Sequence, residues 1–164
     1  MKKIAIFLLL VSHGSLSCPE LKGKWVSSKK ETMDYTSKWI KLEEKRLEFY
    51  EQIFGVQLVE YLEEKYIIHE IPKYKITIEG KEYDWSGEKE IVPYTFLGCT
   101  SKQVAIEYEL FGHEWIATFN FIDDDMYWIY TGSPNMENSH TREFFKRVKS
   151  PNKSIQPTAD ASAD

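Results

Sequence analysis

The sequence predicts a mainly β protein: an antiparallel barrel of about eight or nine strands, with one amphipathic helix between the first and second strands. Two observations carry this reading. After Gly55, short segments rich in Val, Ile, Thr, Tyr, Phe and Trp follow one another between tight turn signals, the pattern of an antiparallel meander. Before it, Lys38–Phe54 departs from alternation and takes helical spacing. A meander must dispose of its exposed edges, and closure into a barrel removes them.

The chain opens with Lys2 and Lys3, an apolar run Ile4–Val11, and small residues ending Ser15-Leu16-Ser17. Charge, short apolar stretch and small residues at the −3 and −1 positions form the pattern of a secretory signal peptide over 1–17. The run is far shorter than the roughly 20 residues that span a bilayer. Export to a periplasmic or secreted location is therefore expected, with no transmembrane span. Cys18 follows at once, and three fates are open to it. It can pair with Cys99, the only other cysteine, in a loop of about 80 residues worth roughly 4 kcal/mol. It can carry a lipid anchor, although the leucine of a lipoprotein signal belongs at −3 and here stands at −2 as Leu16. Or both thiols can stay free. The disulfide is the preferred reading, since export permits it.

Leu21–Ser28 starts the domain with an alternation of Leu21, Gly23 and Trp25 against Lys22 and Lys24, as in a half-buried strand. In Lys38–Phe54, Trp39, Leu42, Leu47, Tyr50, Ile53 and Phe54 recur at helical spacing opposite Glu43, Glu44, Glu48 and Glu51. Thr36 or Ser37 can cap the start, and Gly55 can end it. Strands are expected at Val56–Tyr61, Tyr66–Ile71, Tyr74–Ile78, Glu90–Leu97, Gln103–Leu110, Trp115–Ile122, Met126–Tyr130 and Arg142–Val148. One domain, 18–149, accounts for them. Residues 150–164, with Pro151, Pro157 and small polar residues, read as a disordered tail.

Leu21-Lys22-Gly23-Lys24-Trp25 resembles the Gly-x-Trp opening of the first strand in lipocalins and related calycin barrels. The wider layout is similar to small exported bacterial lipocalin-like proteins: the opening strand, a helix, then strands ending Phe145-Lys146-Arg147-Val148. The resemblance implies a lipocalin-like barrel in which Gly23 and Trp25 close the base and an arginine of the last strand, Arg147 or Arg142, packs on the indole. Two departures stand beside it. The Thr-Asp-Tyr motif is absent, and the helix comes early rather than after the strands.

The sequence carries 21 basic and 26 acidic side chains; without the leader, which holds two of the former and none of the latter, the net charge is −7. That balance excludes the basic footprint of nucleic-acid binding and disfavours anionic membrane surfaces. No phosphate loop, His-Glu-x-x-His, CxxC or Gly-x-Ser-x-Gly is present. His69, His113 and His140 are dispersed, and Asp123-Asp124-Asp125 lacks the alternating ligands and central glycine of a calcium loop. The triplet reads as a hairpin turn. No catalytic residue, cofactor or metal is assigned. Phe119 and Phe121 share one strand face, as do Trp128 and Tyr130, and these four are the candidate lining of a cavity for a small hydrophobic or amphipathic ligand. The competing reading is a filled barrel core serving a protein-interaction module or inhibitor.

Overall fold

The computed structural model describes residues 17–131 and 140–149. The expected signal peptide, apart from Ser17, and the expected tail lie outside the described residues. In chain order the elements are β1 (Gly23–Ser27), α1 (Lys29–Trp39), α2 (Glu44–Ile53), β2 (Leu58–Tyr61), β3 (Tyr66–Ile71), β4 (Tyr74–Ile78), β5 (Lys81–Trp85), β6 (Glu88–Cys99), β7 (Gln103–Leu110), β8 (His113–Asp123), β9 (Met126–Tyr130) and β10 (Arg142–Arg147). Eight strands close into an antiparallel barrel in the order β1-β10-β9-β8-β7-β6-β3-β2. The architecture fits a lipocalin-like barrel with helix attached.

The registers give the barrel two distinct ends. Gly23 pairs with Tyr61, Cys99 with Val104 and Met126 with Lys146 at the base. Ile71 pairs with Glu88, Leu110 with His113 and Tyr130 with Arg142 at the mouth. Both insertions rise from the mouth: the helices between β1 and β2, and a separate two-stranded sheet of β4 and β5 between β3 and β6. At the base a Cys18–Cys99 disulfide joins the N-terminal segment to the end of β6, with the two Cα atoms 5.6 Å apart.

Of the single helix expected at Lys38–Phe54, α2 forms within the span, while α1 lies almost wholly before it where no helix was expected, and extended backbone at Ile40 and Glu43 separates the two. The reason lies in what α1 buries. Its two fully buried side chains are Thr32 and Thr36, four residues apart, and the Thr32 hydroxyl accepts the Phe144 N–H at 3.0 Å. A helix docked on strand backbone needs an acceptor there, so its inner face is threonine, which an apolar periodicity does not register. Trp39, placed on the packed face by the sequence pattern, is 66% exposed.

The strand β5, unanticipated, is exposed along its whole length. Its pairing with β4 encloses the two-residue turn Glu79-Gly80, both at positive φ, as tight hairpins prefer. This hairpin leans on α2: the Gln52 side-chain amide bonds Thr77 twice, donating to its carbonyl at 2.9 Å and accepting from its N–H at 2.5 Å.

Inward positions alternate as the pleat requires. Trp25, Val59, Tyr61, Ile67, Ile106, Phe119, Tyr127 and Phe145 form the buried core. Tyr127 is its hub, 4.6 Å from Trp25, 5.2 Å from both Phe119 and Phe145, and 5.6 Å from Phe121 between ring centroids. Each such ring, taken out of water, stabilises the fold by roughly 1.5–3 kcal/mol.

Candidate functional site

The base is closed by Trp25 and Arg147. Trp25 is fully buried and donates its indole N–H to the Leu21 carbonyl at 2.7 Å. Arg147 lies over its ring at 4.2 Å, while its guanidinium donates to the carbonyls of Lys22 (2.5 Å), Glu20 (2.8 Å) and Asp124 (3.0 Å). Gly23, at φ +113, keeps the approach open, since a Cβ there would stand 3.1 Å from the Arg147 Nη1. The other candidate, Arg142, sits on the outer wall, between Tyr35 of α1 and Trp128 of β9. An open depression of about 590 Å³ lies beside the base, bordered by Cys18, Asp123–Asp125 and Arg147. Two of its carboxylates are engaged: Asp123 accepts the Asp125 N–H at 2.8 Å in a turn, and Asp125 pairs with Lys149 at 2.9 Å. Among the described residues, no group of His, Cys, Asp and Glu is placed to hold a metal ion.

The structure divides the four aromatics expected to line a cavity. Phe119 and Phe121 point inward and are buried in the aromatic cluster. Trp128 and Tyr130 do share a face, but it is the outer one, because Tyr127 and Ile129 take the inward positions of β9. Phe119 fills the lumen rather than lining it. Only about 20 Å³ stays open among Val59, Tyr61, Phe119, Tyr127 and Phe145, room for about one water.

Space opens instead at the mouth, where the barrel wall parts. The strand β8 pairs with β7 up to His113, and β9 pairs with β10 up to Tyr130. Between themselves, β8 and β9 pair only from Asn120–Trp128 down to Asp123–Met126. Asn120 sits at the fork, donating its amide to the carbonyls of Thr118 (3.1 Å) and Trp128 (3.4 Å) and accepting from Gln103 at 2.8 Å. Above it the strands splay, and a cavity of about 330 Å³ occupies the gap. Leu110, Trp115, Ile116, Ala117, Ile129 and Tyr130 supply its apolar walls; Gln57, Tyr108, Thr118, Thr131 and Glu143 supply polar atoms. So Tyr130, although outward, borders this opening, while Phe119, Phe121 and Trp128 do not.

Glu143 is the notable group. It is 6% exposed, and the Ser27 hydroxyl donates to its carboxyl at 2.5 Å while accepting the Gly55 N–H at 2.9 Å. Burial pushes the Glu143 carboxyl up to about 7, against the opposing pull of Ser27. Nearby, Gln57 donates to the His69 ring, whose own proton affinity burial lowers, so the ring is held neutral and accepting. Deeper down, burial raises the hydroxyls of Tyr61 and Tyr127 far above the usual tyrosine range; the two oxygens are 3.5 Å apart. Sequence reasoning missed Ser27, Gln57, Tyr108 and Glu143. For Glu143 a signal existed: in a strand whose inward residue is Phe145, period-two alternation places Glu143 inward as well.

No family model, no curated protein and no solved structure matches the chain. Among the described residues, no helix is long and apolar enough to cross a membrane.

Proposed function

We propose that this is an exported, lipocalin-like, non-catalytic protein that binds a small amphipathic molecule at the mouth of its barrel. One observation carries the reading: a cavity of about 330 Å³ at the splayed β8–β9 seam, with mostly apolar walls and a few polar side chains among them. That size lies at the lower end of small-molecule pockets, roughly 300–1,000 Å³, and the mixture of surfaces suits them. The leader-like N-terminus and the Cys18–Cys99 disulfide support export. The resemblance at Gly23-Lys24-Trp25, with Arg147 on the indole, supports the lipocalin-like class.

Titration with anilinonaphthalene, an uncharged fluorescent aromatic, tests the reading. Saturable binding of one dye per chain is expected, abolished when Ala117→Phe fills the cavity. Absence of saturable binding, or equal binding by the Ala117→Phe protein, overturns it. A second reading, a protein-interaction module, is favoured by the outward apolar side chains Ile91, Ile116 and Ile122, which are 54–71% exposed. Affinity capture that returns no reproducible partner counts against it.

A further inference from the structure

We infer that the seam cavity takes a small organic cation, a protonated amine carried on a flat apolar body, with its nitrogen beside Glu143 and its body against Trp115 and Tyr108. The inference rests on the reading of this cavity as a ligand site and names the chemistry of its ligand.

Three observations converge. First, among the described residues the cavity wall holds one carboxyl and no basic side chain. An anionic head, such as that of a fatty acid, would meet Glu143 there without any lysine or arginine to neutralise it. Second, among the described residues Ser27 is the only hydrogen-bond partner of the Glu143 carboxyl, and no cation pairs with it. The described ion pairs lie elsewhere, most of them at the surface, as in Lys146–Glu31 on the outer side of the same strand. A carboxyl taken out of water needs a proton or a cation, and Glu143 borders the cavity. Third, the walls are of the kind that attracts cations. Trp115 is 51% exposed, and its ring, with those of Tyr108 and Tyr130, borders the same space. Aromatic faces stabilise an adjacent ammonium, more strongly when water is excluded. The acidic balance of the whole chain, −5, adds a long-range attraction for such ligands.

The arrangement also orders the exchange. Below neutral pH, with the cavity empty, the proton stays on Glu143; an arriving ammonium replaces it, and the proton leaves to solvent. Ser27 holds one carboxyl oxygen in place in either state, itself fixed by the Gly55 N–H. The neighbouring titratable groups do not compete for the cation, because the Tyr108 and Tyr127 hydroxyls are kept neutral by burial and His69 faces Gln57.

The experiment compares phenethylamine, phenethyl alcohol and hydrocinnamate, which share one body and differ in head charge, by calorimetry and by displacement of anilinonaphthalene from the full chain. The amine is expected to bind at least about tenfold more tightly than the alcohol, with the acid weakest. Glu143→Gln is expected to remove that preference, bringing the amine to the level of the alcohol. A second measurement needs no variant: on addition of amine below neutral pH, the Glu143 carboxyl-carbon resonance of the unmodified protein should move to its ionised position. If the amine and alcohol bind equally, or the Glu143→Gln protein keeps the preference, or the resonance stays put, the cation is wrong while the cavity remains a ligand site. If none of the three compounds nor the dye binds, both readings fall.

Discussion

The Cβ that Gly55 lacks would stand 2.7 Å from the Cβ of Lys29. The chain leaving α2 thus passes against the first residue of α1, at φ +90, and no side chain fits between them. Gly55→Ala combines a left-handed penalty of about 1–2 kcal/mol with overpacking of about 1–3 kcal/mol. A loss of about 3 kcal/mol in urea unfolding is expected. A change below about 0.5 kcal/mol would show that the two segments separate freely.

Phe54 and Trp39 flank the two helices and separate their packing. Phe54 is 7% exposed and lies 5.0 Å from Tyr50 between ring centroids, whereas Trp39 is 66% exposed. Phe54→Ala is expected to cost about 3–4 kcal/mol, and Trp39→Ala less than about 1 kcal/mol. Equal losses in thermal unfolding would return Trp39 to a packed helix face.

Glu143 makes stability depend on pH in an unusual direction for a carboxyl. Its folded-state value of about 7 lies above the ordinary 4.5, so the fold binds its proton more tightly than the unfolded chain does. The resulting stabilisation is complete below about pH 4.5 and is lost as pH rises through about 7, a span worth roughly 3 kcal/mol. Glu143→Gln, neutral throughout, should match the parent protein near about pH 4 and exceed its stability at about pH 8 by roughly that amount. Parallel stability curves for the two proteins would contradict this.

The Cys18–Cys99 bond spans 81 residues and restrains the unfolded chain over that length. Replacing both cysteines by serine should lower stability by about 2–4 kcal/mol, measured against the oxidised protein. Because the bond lies at the base, dye binding at the mouth should persist under conditions where the variant is folded.

Arg147 bonds three backbone carbonyls and covers Trp25. Arg147→Met keeps apolar cover but strips those carbonyls of their donors, and a loss of about 2–4 kcal/mol is expected. The tryptophan emission should shift to longer wavelength in the same variant as water reaches the indole. Unchanged emission would mean that Trp25 is sealed by the core alone.

What was legible in the sequence follows the physics of each element. Strands such as β3 and β7 show because their buried and exposed residues alternate, Ile67 and His69 against Tyr66 and Ile68, for example. The helix α1 was opaque because Thr32 and Thr36 serve it as a core, and threonine also belongs to strands and turns. The hairpin strand β5 has no fully buried residue; its Tyr83 and Trp85 alternate with charged neighbours, but it is short and lies close behind the turn at Glu79-Gly80. At the candidate site, alternation grouped Trp128 with Tyr130 but could not say which face of β9 turned inward. That choice depends on Arg142 and Tyr35 covering them from outside, a relation spanning more than a hundred residues of chain. The cavity itself stems from a ladder that stops at Asn120, a feature of pairing rather than of composition.

The separation of the barrel's ends has a bearing on handling and on placement. Ser17 borders the base, and Lys149 reaches Asp125 there, so both ends of the last described stretches of chain depart from the same pole. The Cys18–Cys99 bond prevents the first of them from swinging upward. Whatever is joined to either end, a resin, a fusion partner or a tether, holds the molecule by its foot. The splayed seam lies at the opposite pole.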